Sequence, residues 1–216
     1  FNSEHLLRSE NLPFDIDNWY PQLKQWTFET VFLPLSRGEG RALIRAYRFR
    51  FLSGGFVGIE DAEALRRLED RIDDAICDHF ADTGCFMRLC GRSAKDGDPL
   101  DRGRVQREYK EALERIAGPP GGPRTAPSAA VTMQAAMAVE VLRCWTGAEV
   151  MSILLSSERV YSDMLDWLWF GEPEQIVLRR WEDGLTQDLE FRLYVHDNRL
   201  TAISQYDHYC RHEHLF

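Results

Sequence analysis

DLEFRLYVHDNRLTAISQYDHY, residues 188–209, is the stretch from which the fold is read. Side chains on an extended chain alternate with period two. Phe191, Leu193 and Val195 therefore point one way, and Glu190, Arg192 and Tyr194 the other. Asp197-Asn198 fits a two-residue turn of the primed type, in which both central residues take positive φ. The resulting hairpin pairs Leu193 with Ala202 and Glu190 with Gln205, leaving a charged end away from the tip. An acid and a guanidinium at the start of an otherwise ordinary hairpin need a reason.

Upstream, EQIVLRRWED (174–183) reads as a strand whose Ile176-Val177-Leu178 run suits the middle of a sheet. Thr30 to Leu35 reads as a further strand, short or at an edge because Pro34 cannot donate to a ladder. A third is expected over Cys85 to Leu89. Between Asp61 and Phe80, Leu65, Leu68, Ile72, Ile76 and Phe80 recur at three- and four-residue steps, the stripe of a core-facing helix. Residues 148–169 predict a helix on Val150, Ile153 and Leu154, then a further turn capped by Ser162 or Asp163. The Arg- and Gly-rich residues 37–58 read as a loop with one short element and a solvated basic face. Residues 101–117 predict a charged helix, and GPPGGPRTAPSAA (118–130) a mobile linker. The mixed order of elements gives class α+β.

The 216 residues are 44% apolar and 12% aromatic, enough for a real core. With 35 acidic against 26 basic residues the net charge is −9, which disfavours nonspecific binding to nucleic acid or anionic lipid. No apolar run approaches the roughly 18 residues of a membrane span. The five cysteines, Cys77, Cys85, Cys90, Cys144 and Cys210, form no CxxC pair and read as reduced thiols of a cytosolic or nuclear protein. The chain begins at Phe1, so an upstream segment is an open expectation.

Candidate chemistry is scattered. The loop GRSAKDG, Gly91 to Gly97, offers close backbone approach at Gly91, a hydroxyl at Ser93 and a mobile charge at Lys95, all suited to an anion. It lacks the GxxxxGK[ST] spacing of a P-loop, and its bland reading is a surface turn. Arg88 alternates with core-seeking Met87 and Leu89, so it can fork onto a phosphate or simply face water. Arg179 and Trp181 share one face of their strand, Leu178 and Arg180 the other. An amphipathic strand with a core tryptophan accounts for that pattern too. His208, Cys210, His212 and His214 crowd the end of the chain. A structural zinc site draws its ligands from two separated elements, and only His208 and His212 share a helical face, so incidental histidines are expected. Neither a GxSxG elbow nor a Cys-His arrangement is present.

Taken in order, NWYPQLKQWTFETVFLPL, FMRLCGRSAKD, IVLRRW and EFRLYVHDNRLTAISQYDHY, with the helix before the second, resemble the eukaryotic family of cell division cycle protein 123, an atypical ATP-grasp family. The resemblance implies a two-lobed ATP-grasp-like fold with the nucleotide cleft between two sheets. Residues 1–100 would form the N-terminal lobe with helix 61–80 and phosphate loop 91–97. Residues 101–147 would be an insertion, and 148–216 an incomplete C-terminal lobe. It further implies ATP contacts from Arg88, Gly91, Ser93, Lys95, Asp96, Glu190 and Arg192, with Arg180 and Trp181 at the adenine hinge. Gly91 to Asp96 would be a mobile loop over the phosphates.

Three departures follow. Arg88 stands where the family's fold usually has lysine, and Tyr206 where its ISQRDY has arginine. The Asp-x-Asn strand that would hold Mg²⁺ is expected beyond Phe216. The implied role is an ATP-binding assembly chaperone, cytoplasmic and monomeric. It would bind the gamma subunit of eukaryotic translation initiation factor 2 and promote formation of the heterotrimer, without membrane or direct nucleic-acid contact. The rival readings are an ATP-grasp ligase making an acyl phosphate, which needs metal across the β- and γ-phosphates, and an inactive ATP-grasp protein with a different partner.

Overall fold

A computed structural model describes residues 12–117, 141–171, 174–185 and 189–206. Contacts divide the chain into two compact units, Phe1–Leu100 with Leu142–Trp181, and Asp101–Val141 with Glu182–Phe216.

The first unit is built on a three-stranded antiparallel sheet of β1 (Thr30–Pro34), β2 (Cys85–Leu89) and β3 (Gln175–Arg180), in the order β1-β3-β2. The apolar run of β3 is in the centre, as its sequence predicts, because only a central strand can bury Ile176, Val177 and Leu178 on both faces. Pro34 ends an edge strand. Since β3 pairs with both β1 and β2, residues 142–181, read from sequence partly as insertion and partly as C-terminal lobe, lie in one unit with residues 1–100.

Around the sheet are α1 (Ile16–Leu23), α2 (Arg37–Phe51), α3 (Ile59–His79), α5 (Gly147–Ser156) and α6 (Glu158–Phe170); α4 (Arg102–Ala117) belongs to the second unit. Cys85, Met87, Leu89, Ile176 and Leu178 share one core with Leu68, Ile72 and Ile76 of α3, and with residues of α2, α5 and α6. Leu68 and Ile72 are fully buried, each stabilising the fold by roughly 1.5–3 kcal/mol. The stripe read from residues 65–80 is the face that does this. On the other side of the sheet Val177 and Phe32 meet Ile16, Trp19 and Tyr20 with Cys90, a smaller cluster.

Residues 37–58, expected as a loop with one short element, open instead with a 15-residue helix, Arg37–Phe51. Its start is fixed by a capping box: the Glu39 amide donates to Ser36 Oγ (3.2 Å) and the Ser36 amide to Glu39 Oε2 (2.7 Å). The glycines that suggested a loop serve packing, for a Cβ on Gly40 would run into the Trp167 ring of α6. The basic cluster is also less free than expected. Arg45 donates to Asp61 (2.8 Å), and Arg48 to the Tyr161 hydroxyl (2.9 Å).

Two further expectations are corrected. Ser162 and Asp163 lie inside α6, and the cap is Ser157, whose Oγ accepts from the Val160 amide at 3.1 Å. Within the supposed insertion, Cys144 is buried and exchanges backbone hydrogen bonds of 2.8 and 2.9 Å with Cys85, extending the sheet edge.

In the second unit, α4 is laced by the i,i+4 pairs Arg104–Glu108 and Lys110–Glu114. The hairpin consists of β4 (Phe191–His196) and β5 (Arg199–Gln205), turned by Asp197 and Asn198 with φ of 47° and 57°, the primed geometry expected. Its register departs from the simple pairing. A bulge lies between Tyr194 and Val195, so Leu193 opposes Ile203, and Phe191 opposes Gln205. The reason is the period of two. Without the bulge Ile203 would fall on the face of Arg192, and with it Ile203 joins Leu193 and Phe191. Residues 118–130 and the histidine cluster 208–214 lie outside the described residues.

Candidate functional site

The sheet face that carries α1 also carries two guanidinium groups. Strand alternation puts Phe86 and Arg88 of β2 on this face, and register puts Val177 opposite Arg88 and Arg179 opposite Phe86. Thr30 of β1 completes the row through Arg179. Arg88 and Arg179 are thus diagonal neighbours on adjacent strands.

Arg179 is only 6% exposed. Its Nε donates to Thr30 Oγ1 (3.3 Å) and its Nη2 to Thr27 Oγ1. The guanidinium carbon lies 4.6 Å from the Phe28 ring centre, 5.5 Å from Phe86 and 5.8 Å from Trp19. Burial, and secondarily the Arg88 charge, pulls its pKa down to about 10. Arg88, half-buried, donates from Nε to Leu89 O (3.0 Å) and from Nη2 to Cys90 O (3.3 Å). Burial lowers its pKa too, opposed at longer range by Cys90, Asp15 and Glu174. Among the described residues no carboxylate comes within ion-pair distance of either guanidinium.

Beyond Arg88 the chain turns through the predicted anion loop. Ser93 bridges back to Arg88, and the Leu89 amide donates to Arg92 O at 2.9 Å. Gly91 and Lys95 are exposed and Ala94 is buried. Asp96 is taken up by the start of α6, accepting from Ser157 Oγ (2.7 Å) and the Arg159 amide (3.2 Å). Burial opposes ionisation of Asp96, but these hydrogen bonds prevail and hold its pKa below the usual carboxylate value. Arg92 pairs with Asp163 (2.6 Å), and Gly97 packs so closely on Ile153 that a Cβ would overlap it. Both ends of the loop are therefore tied to the body of the unit.

Arg180 points to the opposite face from Arg179 and binds Glu29, with Nη2 at 2.8 Å and Nε at 3.1 Å, and lies 3.7 Å from Asp82. The Trp181 amide donates to Gly84 O at 3.2 Å. Its ring meets Phe86 edge-on, and Arg143 lies 5.7 Å above its centre. Of the predicted residues, the structure groups Arg88 with Gly91 and Ser93. It ties Asp96 to the start of α6 and Arg180 to a carboxylate of the fold. Arg179, which sequence reading left as part of an amphipathic strand, is the residue it missed. Only the register, Phe86–Arg179–Thr30, places it beside Arg88.

In the hairpin, taken by itself, Glu190 precedes β4 and its carbonyl accepts from the Tyr206 amide at 2.8 Å. Arg192 is fully solvated and lies 4.5 Å over the Tyr206 ring, whose hydroxyl raises the Arg192 pKa. The tyrosine found where an arginine was expected thus serves as a platform for Arg192. No group of three or more His, Cys, Asp or Glu among the described residues could hold a metal ion, and no described helix is long and apolar enough to cross a membrane.

Comparison with known proteins bears on this arrangement. A family model described as D123 matches residues 125–216. The chain carries a D123 region. Over 92% of its length the fold also matches the structure of Cdc123 from Schizosaccharomyces pombe, with a TM-score of 0.52 at 18% identity. A C-terminally truncated Cdc123 from the same organism matches over 92%, with a TM-score of 0.51 at 20% identity. The chain spans 64% and 65% of those two proteins. No curated protein matches it. The solved structures share the mixed α+β fold of this chain, and the D123 match falls on its C-terminal part, where the family resemblance was read.

Proposed function

We propose that this chain is a member of the Cdc123 family and an ATP-binding assembly factor of ATP-grasp type. It would act in the cytoplasm, binding the gamma subunit of eukaryotic translation initiation factor 2 and promoting assembly of the heterotrimer. The observation that supports nucleotide binding is Arg88. A half-buried guanidinium that donates to two backbone carbonyls, with no carboxylate at ion-pair distance among the described residues, keeps its charge for an anion that arrives from outside. It opens into a turn where the exposed Gly91 lets a phosphate approach the backbone. The partner is proposed on the D123 match and the resemblance. The acidic balance of −9 favours a protein partner with a basic surface over direct RNA contact.

ATP-grasp chemistry would also use Mg²⁺. The described residues do not fit that ion, since no carboxylate cluster is gathered among them.

Two measurements test the proposal. Calorimetry should show ATP binding that Arg88→Ala weakens by about 1.5–3 kcal/mol, the range for hydrogen bonds to charged groups; equal affinity would remove Arg88 from the site. Capture from eukaryotic cytosol should retain the gamma subunit with the wild-type chain, and its absence with and without ATP and Mg²⁺ would refute the partner.

A further inference from the structure

We propose that the outer face of α2, with the turn that follows it, is a docking surface for an acidic amphipathic helix of a partner protein. This goes beyond the nucleotide reading and does not depend on it. With about 3.6 residues to a turn, Arg37, Arg41, Arg45 and Arg48 fall in one row along the helix, opposite the buried Glu39, Ala42 and Leu43. All four arginines are exposed, and the row is about 16 Å long. Its C-terminal end is apolar: Phe49, Phe56 and Ile59 are 63%, 79% and 80% exposed, and Leu52 is exposed as well. That end is held in place. Gly55 packs so tightly on the backbone of Arg45 to Phe49 that a Cβ would overlap it, and the Gly58 amide donates to Asp61 Oδ2 at 3.2 Å. The same carboxylate accepts from Arg45 at 2.8 Å. At the other end of the row the Arg37 guanidinium lies against Gly171, which closes α6 just after the exposed Trp169 and Phe170.

Charge and residue type select the occupant. In a chain of net charge −9, α2 carries five arginines and one acid, Glu39, which is buried in the capping box and bonded to Arg71. All five of its basic residues are arginine. Solvation alone requires neither arginine in place of lysine nor phenylalanine in water, whereas arginine and aromatic residues are enriched, and lysine depleted, where proteins meet. A helix laid along the row would meet the arginines with carboxylates spaced i, i+4, and cover Phe49, Leu52 and Phe56 with an apolar end. RNA or an anionic membrane, being extended, would bring its charge against the acidic remainder of the chain too; a short acidic helix meets the row alone. Arg45 and Arg48, already restrained by Asp61 and the Tyr161 hydroxyl, lose little freedom on binding.

The test selects random phage-displayed peptides of about 16 residues, long enough to form a helix, on the full chain, with counter-selection on Arg41→Glu. Enriched sequences should carry Asp or Glu at i, i+4 spacing with Leu or Phe towards one end. Neutral or basic sequences, or no enrichment, would overturn the inference. In fluorescence anisotropy the enriched peptide should bind the wild-type chain and lose at least about tenfold in affinity with Arg41→Glu and with Phe56→Ser. Lys24→Gln, exposed at the end of α1 on the other side of the sheet, should change nothing. Unchanged affinity in Arg41→Glu would remove the row from the contact. Both substituted residues are exposed, so both variants should keep the wild-type Tm. If either does not fold, the wild-type chain decides: its affinity should fall as NaCl is raised, and a salt-independent affinity would overturn the inference. Oligouridylate and phosphatidylserine vesicles should fail to displace the peptide; displacement by either at lower concentration would assign the face to nucleic acid or lipid instead.

Discussion

Arg179 holds its charge among rings and hydroxyls, and the consequence is a pH dependence of definite sign. Its folded pKa of about 10 lies below that of an unperturbed arginine. Between these values the unfolded chain binds the proton more tightly, so stability from this group rises with pH. Below about 10 the charge is carried in both states and its cost is present in full. Wild type should therefore gain Tm relative to Arg179→Gln once pH is raised above about 10, with a constant difference below it. A difference that stays constant above about pH 10 as well would mean that the guanidinium is compensated in the fold. Arg88 was legible in sequence because it alternates with two core residues. Arg179 was not, because its neighbours in sequence say nothing about Phe86 or Thr30, which register alone brings to it.

Helix α6 shows how an element is fixed by a residue far away in sequence. Ser157 caps it, and Asp96 of the anion loop holds both the Ser157 hydroxyl and the Arg159 amide. Ser157→Ala should lower stability by about 1 kcal/mol or more, since it removes a cap and one support of the loop. Asp96→Asn should cost stability at neutral pH but not in acid. The Asp96 pKa is depressed below 3.8, so its contribution is present above that value and lost as pH falls through the lower, folded one. Chemical denaturation of both variants at pH 7 and in acid checks this; a Ser157→Ala chain as stable as wild type would show the cap to be idle. The stretch SDMLDWLWF suggested a cap at Ser162 or Asp163 because both types favour that position. The helix instead begins one turn earlier, where Ser157 finds a carboxylate supplied by the fold. Likewise the capping box at Ser36 and Glu39 was present in the letters of residues 36–39, but two glycines obscured it.

At the scale of the molecule, the sheet and its helical layer close on themselves within Phe1–Leu100 and Leu142–Trp181. The three strands of that sheet, both apolar clusters and both arginines of the candidate site belong to that unit. A chain ending at Trp181 should therefore still melt in one cooperative transition. A broad, non-cooperative melt would show that residues 182–216 contribute to the same core. The matched Cdc123 structures extend well beyond the span of this chain, and the comparison concerns fold, not activity.

By itself the sequence determined the local devices. These are the two-residue turn at Asp197-Asn198, the core stripe of residues 65–80, the central run Ile176 to Leu178 and the edge strand stopped by Pro34, each set by periodicity or backbone chemistry within a few residues. Tertiary structure alone decided the helix at residues 37–51, the bulge that brings Ile203 to the side of Leu193, and the pairing of Arg88 with Arg179. Those depend on which surfaces meet, because burial and register are properties of neighbours in space that a linear pattern does not contain.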